Sequence, residues 1–233
     1  MIRYPYLLLD ADNTLFDFDT ANRRAFSAMC AAEDIPDTEA HFTLYEQCNN
    51  AMWNAFDKGV YTKDYIVVER FRLFLEKLGL ARDPKACNDV HLSALGRSTV
   101  LLPHAEEVCR TLSQSCRLYI VTNAVASVQR SRLAGSAIAP YITDAFISED
   151  AGASKPDPAY FDYVFARVPA LTKENCLLVG DSLSSDIRGA NNAGLPCCWF
   201  NPKGLPRPAE LRIDHEIAEL QELFSIITPA ADI

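Results

Sequence analysis

Membrane spans, nucleotide-binding loops and paired metal-ligand cysteines are all missing from this chain. No apolar run reaches the roughly 18 residues that a helix needs to cross a bilayer. Lys and Arg number 22 against 31 Asp and Glu, a net charge of -9, which opposes a broad grip on a nucleic-acid polymer or an anionic membrane. There is no Gly-x-Gly-x-x-Gly for a dinucleotide and no Gly-x-x-x-x-Gly-Lys for ATP phosphates. The eight cysteines (Cys30, Cys48, Cys87, Cys109, Cys116, Cys176, Cys197, Cys198) contain no Cys-x-x-Cys. His41, His91, His104 and His215 pair with no cysteine at ligand spacing, which argues against structural zinc. With no signal-peptide pattern, the thiols are expected to be reduced and buried, in a cytoplasmic protein.

What remains is a globular chain of 233 residues, 49% hydrophobic, enough for one or two cored domains. From Leu15 to about Arg97 the patterning is helical. Tyr65, Val68, Phe71, Phe74, Leu75 and Leu78 recur at three- and four-residue steps, with Asp64 expected as N-cap and Gly79 as C-cap. After Pro103 the character changes to alternation. Strands are predicted at Arg117 to Thr122, Ala145 to Ser148, Cys176 to Gly180 and Pro196 to Phe200. Helices are predicted at His104 to Ser113, Ala126 to Ala134, Ala159 to Arg167, Leu183 to Asn192 and Glu219 to Ile227, with a Pro- and Gly-rich loop at 201–208. Such alternation implies a parallel sheet covered by helices on both faces. The short apolar run Tyr6 to Leu9 reads as its first strand. The expected organisation is therefore a Rossmann-like α/β core of residues 1–15 and 98–233, with an inserted helical domain at 16–97.

The sequence Asp10-Ala11-Asp12-Asn13-Thr14 follows that first strand directly. Open parallel sheets build their binding crevices at such carboxyl ends, and strand alternation is expected to send both acids to one side. Taken alone, the stretch is also an ordinary turn. Three more polar clusters follow later strands: Thr122-Asn123, Lys155-Pro156-Asp157-Pro158, and Gly180-Asp181 through Asp186. Each has a plain structural reading. Asn123 suits a capped turn, Lys155 a solvated lysine, and Asp157-Pro158 a helix start.

Together the clusters supply the parts of one reaction. Asp10 and Asp181, joined by Asp186, make an all-oxygen pocket suited to Mg²⁺. Lys155, the Thr122 hydroxyl and the Asn123 amide suit the oxygens of a transferring phosphoryl group. Asp10 is placed to attack phosphorus, and Asp12 to protonate the leaving oxygen and then activate water.

The order Asp10-x-Asp12-x-Thr14, Thr122-Asn123, Lys155-Pro156, Gly180-Asp181 and Asp186 resembles the four motifs of the haloacid dehalogenase-like superfamily of aspartyl-phosphate phosphohydrolases, over essentially the whole chain. The helical insertion resembles that family's cap domain. The resemblance implies Asp10 as nucleophile and magnesium ligand, and Asp12 as acid/base and a ligand through its main-chain carbonyl. It implies Asp181 as a further ligand, Asp186 as support for the metal's waters or for Lys155, and Thr14 as a brace. An acid at Asp12 separates the chain from the superfamily's haloalkanoic acid dehalogenases. Within the superfamily, residues 10–19, 122–132 and 146–152 look most like the pyrimidine 5'-nucleotidases. Ala124 departs from the Gly that many relatives carry.

A small phosphate ester is thus the expected partner, a nucleoside monophosphate first. A sugar-phosphate phosphatase or phosphoglucomutase of the same superfamily, and a non-catalytic binding module on the same fold, stand as alternatives. Phe18, Trp53, Phe56 and Tyr61 are candidates for stacking on a base, or for the inserted domain's own core.

Overall fold

In the structure, a computed structural model, residues 2–228 are described. Six strands form one parallel sheet: β1 (Tyr6–Leu9), β2 (Arg117–Thr122), β3 (Asp144–Ile147), β4 (Cys176–Gly180), β5 (Cys197–Phe200) and β6 (His215–Ile217), in the order β3-β2-β1-β4-β5-β6. The chain runs outward from β1 to β3, then returns to the other side of β1 with β4. The switch point of the sheet therefore lies between β1 and β4, where ligand crevices open in folds of this type.

Strand alternation divides the sheet's side chains between two cores. Leu7, Leu9, Leu118, Ile120, Leu177 and Val179 face one cluster. Leu8, Tyr119, Val121, Leu178, Cys197 and Trp199 face the other. A sheet buried on both faces needs apolar residues at every position, which is why these strands read as continuous hydrophobic runs.

The chain divides into two compact units. The α/β unit comprises the described parts of Met1–Asp17 and Leu133–Ile233, with Val100–Ala126. The second unit is Phe18–Thr99 together with Ser127–Arg132. It contains α1 (Phe18–Ala32), α2 (Glu39–Asp57), α3 (Lys63–Leu78) and α4 (Pro84–Gly96). Further helices are α5 (Ala105–Leu112), α6 (Ala126–Gly135), α7 (Ser148–Ala151), α8 (Pro158–Arg167), α9 (Arg188–Ala193) and α10 (Leu223–Ile227).

The helical unit has its own core of Phe26, Met29, Phe42, Tyr45, Phe71, Phe74 and Leu75. Helix α3 starts one residue after Thr62, so Asp64 lies in its first turn rather than at its cap; Gly79 closes it at φ 65°. The buried face of α3 is Ile66, Val67, Arg70, Phe71, Phe74 and Leu75, while Tyr65, expected in the stripe, is 45% exposed. Besides Lys63 in the first turn, that face carries Arg70, which is buried against neutral partners. Its Nη1 donates to Asn49 Oδ1 (2.8 Å), and its Nη2 lies 3.2 Å from Asn88 Oδ1 and 3.4 Å from His91 Nδ1. His91 Nε2 in turn lies 3.1 Å from Asn22 Oδ1. All four helices meet in this network.

No helix of the described residues is long and apolar enough to cross a membrane. All eight cysteines are free and buried.

Candidate active site

Because every strand is parallel, the loops after β1, β2, β3 and β4 leave the same edge of the sheet. Asp10 is the first residue beyond β1 and stays tied to β4 through its N–H, which donates to Val179 O at 2.9 Å. Beyond it the chain curls tightly. Ala11 O accepts from the N–H groups of both Leu15 and Phe16, at 2.9 and 2.8 Å, and Asn13 takes a positive φ of 58°. The alternation expected to align Asp10 with Asp12 therefore ends at Leu9. Asp12 stands in the curl and is partly exposed, whereas Asp10 is buried.

Lys155 is the centre of the arrangement. Its ammonium is 1% exposed, and its three hydrogens match three acceptors: Asp10 Oδ1 at 2.6 Å, Asp186 Oδ1 at 2.7 Å and Val121 O at 2.7 Å. Burial by itself would favour the neutral amine, but the carboxylates of Asp10 and Asp186 hold the ammonium well above the usual lysine range. A solvated lysine is thereby ruled out at this position. Asp186 supports Lys155 directly.

Carboxylate oxygens of Asp10, Asp181 and Asp186 lie within 4.8 Å of one another. Burial pushes Asp181 and Asp186 far above the ordinary carboxylate range, and the neighbouring Asp10 raises both further against the opposing pull of Lys155. Such crowding is costly for acids alone and is relieved by a hard cation with oxygen ligands, so the donor set fits Mg²⁺.

The remaining expected residues brace this centre. Thr14 Oγ1 accepts from Asp181 N at 3.1 Å and lies 3.4 Å from Asp181 Oδ1. Asn123 caps no helix, since α6 has Val125 as N-cap. Its side chain grips the main chain of Lys155 twice: Nδ2 donates to Lys155 O at 2.8 Å, and Oδ1 accepts from Lys155 N at 3.0 Å. Thr122 is buried at the end of β2, and its Oγ1 accepts from Ala124 N at 3.1 Å. Asp157 does cap α8, accepting from Ala159 N at 2.9 Å with Pro158 at the first helical position.

Two contributors lay outside the motifs. Glu149 Oε1 accepts from Ala126 N at 3.1 Å, at the start of the helix that follows Thr122-Asn123. Trp199 on β5 donates from Nε1 to Asp181 O at 2.9 Å. An acid two residues beyond a strand and a Trp inside one carry no signal of such roles in the sequence.

Phe18, Trp53, Phe56 and Tyr61 belong to the helical unit but form no part of its buried cluster. Trp53 meets Phe56 edge-on at 5.5 Å between centroids, and Tyr61 lies 4.8 Å from Tyr65.

Comparison with known proteins places this geometry. The chain is 37% identical over 227 residues to HAD-hydrolase YfnB of Bacillus subtilis, spanning 97% of each. It is 30% identical to the pyrimidine 5'-nucleotidase PynA of Streptococcus pneumoniae, over 96% of this chain and 95% of that one. It is 29% identical to the pyrimidine 5'-nucleotidase YjjG of Escherichia coli, over 97% and 99%. A crystal structure of YfnB bound to magnesium matches with a TM-score of 0.92, covering 97% of this chain and 99% of that one. Residues 4–194 match the profile of one family of enzymes, and on that match the chain belongs to the haloacid dehalogenase-like hydrolases.

Proposed function

We propose that this hydrolase is a Mg²⁺-dependent phosphomonoesterase that acts on pyrimidine nucleoside 5'-monophosphates through an aspartyl-phosphate on Asp10. The observation that carries the proposal is the buried set of Asp10, Asp181, Asp186 and Lys155 at the switch point of the sheet. The two pyrimidine 5'-nucleotidases that align over nearly the full chain support the substrate class. The magnesium-bound relative supports the ion.

Asp10, Asp181 and Asp186 would hold the ion, with the main-chain carbonyl of Asp12 as a further ligand. When bound, Mg²⁺ supplies positive charge beside the phosphoryl oxygens. The chain's own groups do the rest. Lys155 fixes the Asp10 carboxylate through Oδ1 and adds a second positive charge. The carboxylate attacks phosphorus, the phosphorus–oxygen ester bond breaks, and Asp12 gives its proton to the leaving nucleoside oxygen. Asp12 then takes a proton from water, whose oxygen attacks phosphorus and releases phosphate and free Asp10. Thr122 and the second Nδ2 hydrogen of Asn123 are the donors we assign to the phosphoryl oxygens.

The deciding experiment is phosphate release from a panel of nucleoside monophosphates and sugar phosphates, with and without Mg²⁺. Preference for UMP, dUMP or dTMP is the expected result. Exclusive use of hexose phosphates would overturn the nucleotidase reading, and turnover that requires a sugar bisphosphate would indicate a mutase.

A further inference from the structure

The peptide unit between Asp181 and Ser182 is held at both ends by side chains from different parts of the α/β unit. Its carbonyl accepts from Trp199 Nε1 at 2.9 Å. Its N–H donates to Asp186 Oδ2 at 3.1 Å. A trans peptide sends these groups in opposite directions, so the two partners together fix the tilt of the plane. On the other side of the Asp181 Cα, the Asp181 N–H donates to Thr14 Oγ1 at 3.1 Å. Both peptide groups flanking Asp181 are thereby anchored.

Trp199 suits this task by position and by chemistry. In the parallel pairing of β4 with β5 it stands opposite Gly180, the residue before Asp181. Its ring is 1% exposed and packs in the cluster with Leu178, Phe161 and Ile187. Unlike Phe or Leu, Trp also brings a donor, and its indole N–H points to the carbonyl of a proposed metal ligand. The contact also begins a chain of hydrogen bonds: Trp199 to the 181–182 peptide, the peptide to Asp186, and Asp186 to Lys155 and so to Asp10.

We infer that Trp199 is a positioning residue for the cation site, setting the Asp181 carboxylate and, through the same peptide plane, Asp186. The inference rests on the proposal that Asp10, Asp181 and Asp186 bind Mg²⁺. It concerns no contact with substrate. Groups that orient metal ligands in this indirect way are typically worth 10- to 100-fold in metal affinity.

The test is calorimetric titration of the substrate-free protein with MgCl₂, alongside thermal melts. Two variants are compared with the wild type. Trp199→Phe removes the donor and part of the ring. Incorporation of β-(3-benzothienyl)alanine at Trp199 keeps the bicyclic shape but has sulfur where the N–H stood, so it separates hydrogen bonding from packing if Trp199→Phe folds poorly. Roughly tenfold weaker Mg²⁺ binding in the isosteric variant, with the melting temperature little changed, is the expected result. Wild-type Mg²⁺ affinity in that variant overturns the role given to Trp199 while leaving the metal site standing. Absence of Mg²⁺ binding by the wild type is a different result and overturns both readings together.

Discussion

Gly180 lies so close beneath the Asp186 side chain that a β-carbon on it would sit 2.3 Å from both Cγ and Oδ2 of Asp186. The last residue of β4 is therefore glycine for reasons of space, not of backbone angle. Gly180→Ala is expected to push Asp186 off Lys155, because Asp186 is fully buried with no room to retreat. Overpacking of this kind costs about 1–3 kcal/mol. A lowered melting temperature together with loss of most phosphatase activity is expected; near-normal activity would mean that Asp186 tolerates displacement.

Replacing the ammonium between two buried acids has a sharper outcome. Lys155→Met is expected to leave Asp10 and Asp186 facing each other without a counter-charge, a change of about 3–5 kcal/mol when one partner of a buried pair is lost. Mg²⁺ should restore part of that stability if the acids bind it, and activity should stay low. Urea denaturation with and without Mg²⁺ measures both effects. A variant as stable as the wild type in the absence of metal would contradict the pairing.

Acids with raised proton affinity make cation binding depend on pH. Asp181 and Asp186 are pushed up chiefly by burial and the neighbouring Asp10, so protons compete there with a cation. Under the proposed function Mg²⁺ would take the ionised form and displace protons from it. Affinity for Mg²⁺ is accordingly expected to rise with pH through neutrality, by up to about tenfold per pH unit for each proton released. Calorimetry in buffers of different ionisation enthalpy counts the protons, and a pH-independent affinity would refute the expectation.

The helical unit should weaken in acid. Burial holds His91 well below the ordinary histidine value of 6.5, and the Arg70 guanidinium beside it acts in the same direction. The unfolded chain then binds a proton that the folded unit refuses. Stability is therefore unaffected above the unfolded pKa and declines as pH falls below it, with a slope of about 1.4 kcal/mol per pH unit until the folded pKa is reached. Denaturation from pH 7 to pH 5 checks the sign, and His91→Gln should flatten the slope.

The legible parts of the fold were those written in apolar runs. β1, β2 and β4 match their sequence bounds to the residue, because strands buried on both faces leave uninterrupted hydrophobic blocks. β6 has no counterpart in the sequence reading: its sequence, His215-Glu216-Ile217, has one apolar residue and only one neighbouring strand. The single helix expected from Leu183 to Asn192 is a π-helical turn at Leu183–Ile187 followed by α9. There Asp186 turns inward to Lys155 and Ser182, a competition that periodicity does not encode. Asp10, Lys155, Asp181 and Asp186 were legible because their chemistry is complementary across four strand ends. Arg70, Asn49, Asn88 and His91 were not, since a polar residue on a buried helix face looks the same in sequence as one in water. The aromatics of the helical unit were ambiguous for the converse reason: Phe26, Phe42, Tyr45, Phe71 and Phe74 took the core, and nothing in their spacing set them apart from Trp53 and Phe56.

The strand order also sets a timetable for synthesis. β1 pairs with β2 from Arg117 and with β4 from Cys176, so a chain emerging from the ribosome carries Asp10 long before either neighbour exists. Helices α1 to α4, with a core of their own, are complete in between and can fold first. Asp10 consequently spends most of translation as an ordinary hydrated carboxylate. Its burial beside Lys155 and Asp186 begins only once the chain has been made as far as Asp186, about four-fifths of its length.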